Sequence, residues 1–196
     1  MSATRWIRLL LPFAAAAVTV ALLAVTAGAH HTDATDPNDT RGKLDVRAVR
    51  MGHRFGTPNW TVVTFGKWRT PSIWDRGYFF VMLDTKGRKA PEHYLMVRSL
   101  GTSLVGSLWR LRKGGSDSYL GSVPVSRPNL RSANVQVRLG RLSFGERRRF
   151  YRWWAETLFT SDVCRRVCID RAPKDPVLQW RPGMSPSPSV SPSPSP

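Results

Sequence analysis

The sequence predicts an all-β protein, folded as an antiparallel β-sandwich of about eight strands with one short helical turn. Short segments rich in β-branched and aromatic residues recur along the middle of the chain, and turn residues separate them. Strand periodicity is clearest in Tyr151–Phe159, where Tyr151, Trp153, Ala155, Thr157 and Phe159 would share one face. With 196 residues, 41% of them hydrophobic, the chain can form one packed domain, which we assign to residues 43–180.

Residues 1–29 have the pattern of an export signal peptide. Arg5 and Arg8 precede the apolar run Leu9–Val25, and Ala27-Gly28-Ala29 supplies the small residues of a cleavage site. The alternative is an uncleaved membrane anchor, because the apolar stretch approaches the ~20 residues that span a bilayer. In both cases we expect the domain to be extracellular or in the cell envelope.

The remaining ends are predicted to lie outside the domain. Residues 30–42 read as a polar linker, whose adjacent histidines, His30 and His31, are more typical of disorder than of a metal site. Residues 181–196 end in alternating serine and proline, which forms neither helix nor sheet and is expected to be a disordered, extended spacer.

Turn residues separate the predicted strands, and Tyr78–Asp84 is a continuous apolar run typical of a strand buried on both faces. Ser143 and Glu146 form a capping-box pattern, which predicts a short helical turn before the last strand. A helix continuing through Tyr151–Phe159 is the alternative, but the paired tryptophans favour a strand. The eight predicted strands are Leu44–Val49, Asn59–Phe65, Tyr78–Asp84, His93–Leu100, Ser103–Leu111, Ser118–Val125, Asn134–Leu139 and Tyr151–Phe159.

The two cysteines, Cys164 and Cys168, are predicted to form a disulfide. An exported chain with two cysteines should pair them, whereas zinc and redox motifs usually have two intervening residues rather than three. The bond would fix the loop that leaves the last strand, just before a turn at Asp170 and Pro173.

Three segments resemble an uncharacterised family of secreted actinobacterial proteins. They are the stretch DPNDTRGKLDV at residues 36–46, the strand end Leu83-Asp84-Thr85, and the Cys-x-x-x-Cys-x-Asp-x-x-Pro motif at Cys164–Pro173. The resemblance covers roughly residues 36–175. It implies a jelly-roll-like sandwich similar to carbohydrate-binding and DOMON-like modules, and it implies no particular activity.

Aromatic residues provide the clearest binding signal, since the chain contains eight tryptophans. Trp68 and Trp74 lie in a connecting segment beside Arg69 and Arg76, and Trp109 lies in a predicted strand. Exposed aromatic rings next to hydrogen-bonding groups stack on sugars and on nucleobases. The alternative is that Trp68 and Trp74 close the ends of the sandwich core.

The net charge of +17 suggests attraction to polyanions. The densest basic run is Arg147, Arg148 and Arg149 with Arg152, although arginine is scattered along most segments and background basicity explains much of the charge.

A calcium site is a further hypothesis. Asp36, Asp39 and Asp45 lie close together in sequence, and Asp170 or Asp84 could complete a set of oxygen ligands. The spacing differs from that of the twelve-residue calcium loop, and aspartates before a strand are commonly turn residues. No cofactor is therefore expected, apart from this structural calcium.

Catalytic motifs are missing from the sequence, which contains no G-x-S-x-G, H-E-x-x-H or glycine-rich phosphate loop. We therefore expect a monomeric, non-catalytic module that binds polysaccharide or a cell-envelope polymer. The alternatives are a basic adhesive protein that binds nucleic acid or anionic lipid, and a hydrolase with an unrecognised site.

Overall fold

The computed structural model describes residues 32–54, 57–87, 90–128, 134–138, 150–161, 163–164 and 166–180. The predicted signal peptide, the Ser/Pro tail, the basic run Arg147–Arg149 and most of the predicted helical turn at 143–150 lie outside these residues. Within them, no helix has both the length and the apolar character needed to cross a membrane.

Two antiparallel sheets form a β-sandwich, which confirms the predicted fold class. One sheet has the strand order β1-β2-β3-β9-β8, and the other has the order β11-β10-β4-β5-β6-β7. A 3-10 turn, Thr70–Ile73, precedes β4. The strands are β1 (Thr32–Thr35), β2 (Val46–Arg54), β3 (Thr57–Thr64), β4 (Gly77–Asp84), β5 (His93–Leu100), β6 (Ser103–Arg110), β7 (Ser118–Val123), β8 (Val125–Ser126), β9 (Asn134–Arg138), β10 (Phe150–Phe159) and β11 (Cys168–Trp180).

Strand β10 is a central strand of the six-stranded sheet and not a helix. It pairs with β4 on one side and with β11 on the other. The five residues predicted to share a face, from Tyr151 to Phe159, are all buried. Tyr151 packs across the sandwich against Trp60 of β3, with ring centroids 6.4 Å apart. Burial of each such aromatic side chain stabilises the fold by roughly 1.5–3 kcal/mol.

The prediction that residues 30–42 form a linker outside the domain is wrong for its described part. Strand β1 pairs with β2 from Thr32↔Met51 to Thr35↔Ala48. The loop that follows packs on the domain, because a Cβ at Gly42 would lie 3.1 Å from the Phe159 ring, and Gly42 itself has φ +117°. Polar composition suggested a linker, but short edge strands tolerate polar residues because one side faces water.

The prediction that Tyr151–Phe159 is the last strand of the domain is also wrong. Cys168–Trp180 forms β11, an edge strand that pairs with β10. The expected turn at Asp170 and Pro173 is instead part of this strand, with a bulge where the register jumps from Ala155↔Ala172 to Trp153↔Val177. Pro173 masked the strand in the sequence, but proline is tolerated at edges and bulges.

The disulfide between Cys164 and Cys168 is present, with Cα atoms 5.5 Å apart. It closes the loop between β10 and β11, and the Cys164 sulfur lies 3.7 Å from the Arg41 carbonyl oxygen. The disulfide therefore lies against the loop that follows β1.

Two hydrogen bonds connect the sheets at this edge of the sandwich. Thr157 Oγ1 on β10 donates to the Leu44 carbonyl at 2.6 Å. The backbone N–H of Val46, the first residue of β2, donates to Asp170 Oδ2 on β11 at 2.6 Å. Both bonds are buried, so they position the end of the β1–β2 loop and the start of β2 against β10 and β11.

Strand β4 is buried on one face, and not on both as predicted. Phe79, Val81 and Leu83 are buried in the core, whereas the alternate residues Tyr78, Phe80 and Met82 are only half-buried. The continuous apolar run therefore reflects a second apolar surface on the outside of the six-stranded sheet.

Candidate functional site

Five aromatic side chains lie on the outer face of the six-stranded sheet, and we call them the aromatic row. They come from four neighbouring strands, β4 to β7, and β5 and β6 are joined by the tight turn at Gly101. Register places Trp109 opposite both Tyr94 and Tyr119. The members are Tyr78, Phe80, Tyr94, Trp109 and Tyr119.

Each ring of the aromatic row contacts the next ring across the sheet. Centroid distances are 6.2 Å for Tyr78–Phe80, 5.9 Å for Phe80–Tyr94, 6.3 Å for Tyr94–Trp109 and 5.3 Å for Trp109–Tyr119. The Tyr94 and Trp109 rings are nearly parallel, with an interplanar angle of 5°. These rings are half-buried except for Tyr119, which is 54% exposed, so they form a continuous and accessible apolar strip.

Hydrogen bonds hold the polar ends of these rings. Tyr94 Oη donates to Asp117 Oδ2 at 3.0 Å, and Trp109 Nε1 donates to Ser107 Oγ at 2.8 Å. Burial, together with the Asp117 carboxylate, raises the pKa of Tyr94 to about 12, so the phenol stays protonated at physiological pH. A ring held in one orientation loses little conformational entropy when a ligand stacks on it.

The tryptophans predicted to bind ligand are found in three different environments. Trp109 belongs to the aromatic row, and Trp74 is 59% exposed in the connection after the 3-10 turn, between the exposed Arg69 and Arg76. Trp68 is only 3% exposed, which contradicts its predicted role in stacking on a ligand.

Trp68 is a core residue, as the alternative reading held. It packs on Phe79 with ring centroids 5.3 Å apart, and the Arg127 guanidinium lies 4.1 Å from the centre of its ring. Arg127 also donates a hydrogen bond to the Trp68 carbonyl. The indole therefore makes its ring contacts within the protein.

Sequence reasoning missed four of the five members of the aromatic row, because they are spread over three strands. Alternation within each strand could have placed Tyr78 with Phe80, and Tyr94 on the face opposite His93. The strand order that brings these faces together is a tertiary property.

Of the predicted basic patch, only Arg152 is among the described residues. It lies on the outward face of β10, where its Nη1 atom is 3.5 Å from the Asp84 carboxylate. Asp84 is fully buried and also accepts hydrogen bonds from the backbone N–H groups of Lys86 and Gly87. Arg152 and Asp84 therefore stabilise this end of the sheet.

Four aspartates lie close together at the β11 edge of the six-stranded sheet. We call Asp36, Asp39, Asp45 and Asp170 the acidic cluster. One carboxylate oxygen from each lies within 4.8 Å of the others. Asp36 follows β1, Asp45 precedes β2 and Asp170 lies on β11. The structure thus brings together the three predicted residues and Asp170, while Asp84 is the last residue of β4 and does not belong to the cluster.

Burial is severe for two members of the acidic cluster. Asp45 is 2% exposed, and burial, followed by the charge of Asp170, raises its pKa to about 6. The Thr40 backbone N–H lowers this pKa in part, but it lies outside normal hydrogen-bond geometry with either oxygen. Burial, followed by the charges of Asp170 and Asp39, likewise raises the pKa of Asp36 to about 6.

Comparison of the chain with protein-family models, with curated proteins and with solved structures found no match.

Proposed function

We propose that this protein is an exported, non-catalytic module that binds polysaccharide or a cell-envelope polymer through the aromatic row. The observation that carries the proposal is the unbroken series of ring contacts from Tyr78 to Tyr119 across four neighbouring strands. Neighbouring strands lie about 4.8 Å apart, so rings on successive strands offer regularly repeated stacking positions. A repeating polymer of sugar rings suits such a surface.

Polar groups beside the rings support a sugar ligand. Ser107, Ser122 and Asp117 already bond to members of the row, and their remaining lone pairs could meet sugar hydroxyls. Arg98 is exposed on β5 opposite Tyr78, where it could meet an anionic group of the polymer. Aromatic surfaces flanked by such groups are apolar on one side and hydrogen-bonding on the other, as a sugar is.

Polyanion binding is the second candidate, and the net charge of +17 favours it. Nucleobases also stack on aromatic residues, so a sugar polymer and a nucleic acid must be separated by salt dependence.

The test measures retention of the purified protein on insoluble cell-wall polysaccharide and on immobilised DNA, at low and high salt. Trp109→Ala is expected to weaken polysaccharide binding about fivefold or more, because each stacking contact contributes roughly 1–3 kcal/mol. Trp74→Ala is the matched control, since Trp74 is the more exposed tryptophan and lies outside the row's series of ring contacts.

Retention on polysaccharide that survives high salt and is lost in Trp109→Ala would support the proposal. Retention on both matrices that disappears with salt, or loss in Trp74→Ala but not in Trp109→Ala, would overturn it. Thermal unfolding of each variant verifies that the fold is intact.

A further inference from the structure

We propose that the acidic cluster, Asp36, Asp39, Asp45 and Asp170, is a Ca²⁺ site that joins the β1–β2 loop to strand β11. This site is separate from the aromatic row, which spans β4 to β7, whereas Asp170 lies at the other edge of the same sheet. Ligand binding by the aromatic row and Ca²⁺ binding by the acidic cluster can therefore be tested independently.

Unsatisfied oxygens inside the acidic cluster are the first argument. Asp45 is only 2% exposed, yet neither of its carboxylate oxygens has a hydrogen-bond partner among the described residues. Asp36 Oδ2 is also buried without a partner. Buried carboxylates in folded proteins are normally hydrogen-bonded, paired with a cation or coordinated to a metal. One carboxylate oxygen from each of the four aspartates lies within 4.8 Å of the others, so one ion could bind all four carboxylates together.

Charge balance is the second argument. Among the described residues, Lys174 forms an ion pair with the cluster, because its Nζ atom lies 3.4 Å from Asp39 Oδ2, but the lysine side chain is 73% exposed. Such an exposed pair is weakened by solvent and does not compensate the buried Asp36 and Asp45. A divalent cation would offset the repulsion among the carboxylates directly.

The dimensions and donor atoms indicate calcium. Ca²⁺–oxygen bonds of about 2.3–2.6 Å place opposite ligands about 4.6–5.2 Å apart, and Mg²⁺ requires about 4.0–4.2 Å. A cluster within 4.8 Å fits inside a calcium coordination sphere. All its donors are oxygens, which hard cations prefer, whereas zinc usually selects nitrogen and sulfur.

Asp170 is oriented in advance for this role. Its Oδ2 atom accepts the Val46 backbone N–H at 2.6 Å, and its Oδ1 atom accepts the Arg171 backbone N–H at 2.8 Å. Each carboxylate oxygen keeps a lone pair for another ligand. Backbone hydrogen bonds of this kind fix the direction of a metal ligand.

The test titrates the chelator-treated protein with Ca²⁺ at pH 7.5 by calorimetry and measures thermal unfolding with and without the ion. We expect one Ca²⁺ per chain and a rise in the unfolding temperature. Asp45→Asn should weaken binding about tenfold or more, because affinity depends on the number of charged ligands. Asp39→Asn, at a more exposed position, provides a second variant whose folding is not in question.

Two further variants make the test specific. Asp33→Asn is the matched control, because Asp33 lies on β1 in an exposed ion pair with Arg50 and outside the cluster. It should bind Ca²⁺ as the parent does. Lys174→Gln should bind Ca²⁺ more tightly, since it removes the cation that competes for Asp39.

The proposal is overturned if the parent protein binds no Ca²⁺ at pH 7.5, or if Asp39→Asn and Asp33→Asn bind it equally well. Equal or tighter binding of Mg²⁺ would overturn the assignment to calcium.

Discussion

Asp45→Asn should stabilise the metal-free protein at neutral pH, although it replaces a fully buried side chain. Asp45 and Asp36 both face the charges of Asp170 and Asp39, which Lys174 offsets only in part at Asp36. A pKa raised from 3.8 to about 6 corresponds to a cost of roughly 3 kcal/mol for the ionised carboxyl in the folded state. Asparagine has the same shape and no charge, so it removes this cost.

The net gain should be about 1–3 kcal/mol, because asparagine keeps the desolvation cost of a buried polar group. The sign follows from the direction of the shift. A carboxyl whose folded-state pKa is raised destabilises the protein above that pKa, and the penalty fades as the pH falls from about 6 towards 4. The advantage of Asp45→Asn should thus be full at pH 7.5 and absent near pH 4.

Urea denaturation in the presence of a chelator, at pH 7.5 and at pH 4, measures this effect. Asp33→Asn, on the same edge of the sandwich, should change the free energy of unfolding by less than about 1 kcal/mol at both values. With saturating Ca²⁺ the order should reverse, and the parent should be more stable than Asp45→Asn. A variant that is less stable than the parent at pH 7.5 without metal would refute the reasoning.

Two other substitutions test the contacts that hold this edge together. Replacing Cys164 and Cys168 by serine should lower the free energy of unfolding by about 2 kcal/mol, the value expected for so short a loop, and reduction of the parent protein should have the same effect in urea denaturation. Thr157→Val should lower the free energy of unfolding by about 1–3 kcal/mol, because it preserves the side-chain shape but leaves the buried Leu44 carbonyl without its donor. An unchanged urea midpoint would contradict this prediction. Thr61→Val on β3, a half-buried position, is its control.

The positions of most strands could be predicted from the sequence. Each of the eight predicted strands overlaps a strand of the structure, because apolar residues at every second position can be buried only if the chain is extended. Strands β1 and β11 were missed because they lie at sheet edges, where burial imposes little pattern and both polar residues and Pro173 are tolerated.

The candidate sites were only partly predictable. The closeness of Asp36, Asp39 and Asp45 in the sequence identified three members of the acidic cluster. The exposure of Trp68 could not be inferred in the same way, because its burial depends on contacts with Phe79 and Arg127. Asp170 is 125 residues beyond Asp45 in the chain, and its place in the acidic cluster depends on the pairing of β11 with β10.

The sequence by itself therefore determined the fold class, the disulfide and the approximate positions of eight strands, since all three depend on local periodicity or on cysteine number. Tertiary structure alone decided which faces meet. The aromatic row exists because β4 to β7 are neighbours, and the acidic cluster exists because β11 returns beside the first loop. Both depend on long-range strand pairing, which stabilises the whole sandwich and leaves no signature in any short segment.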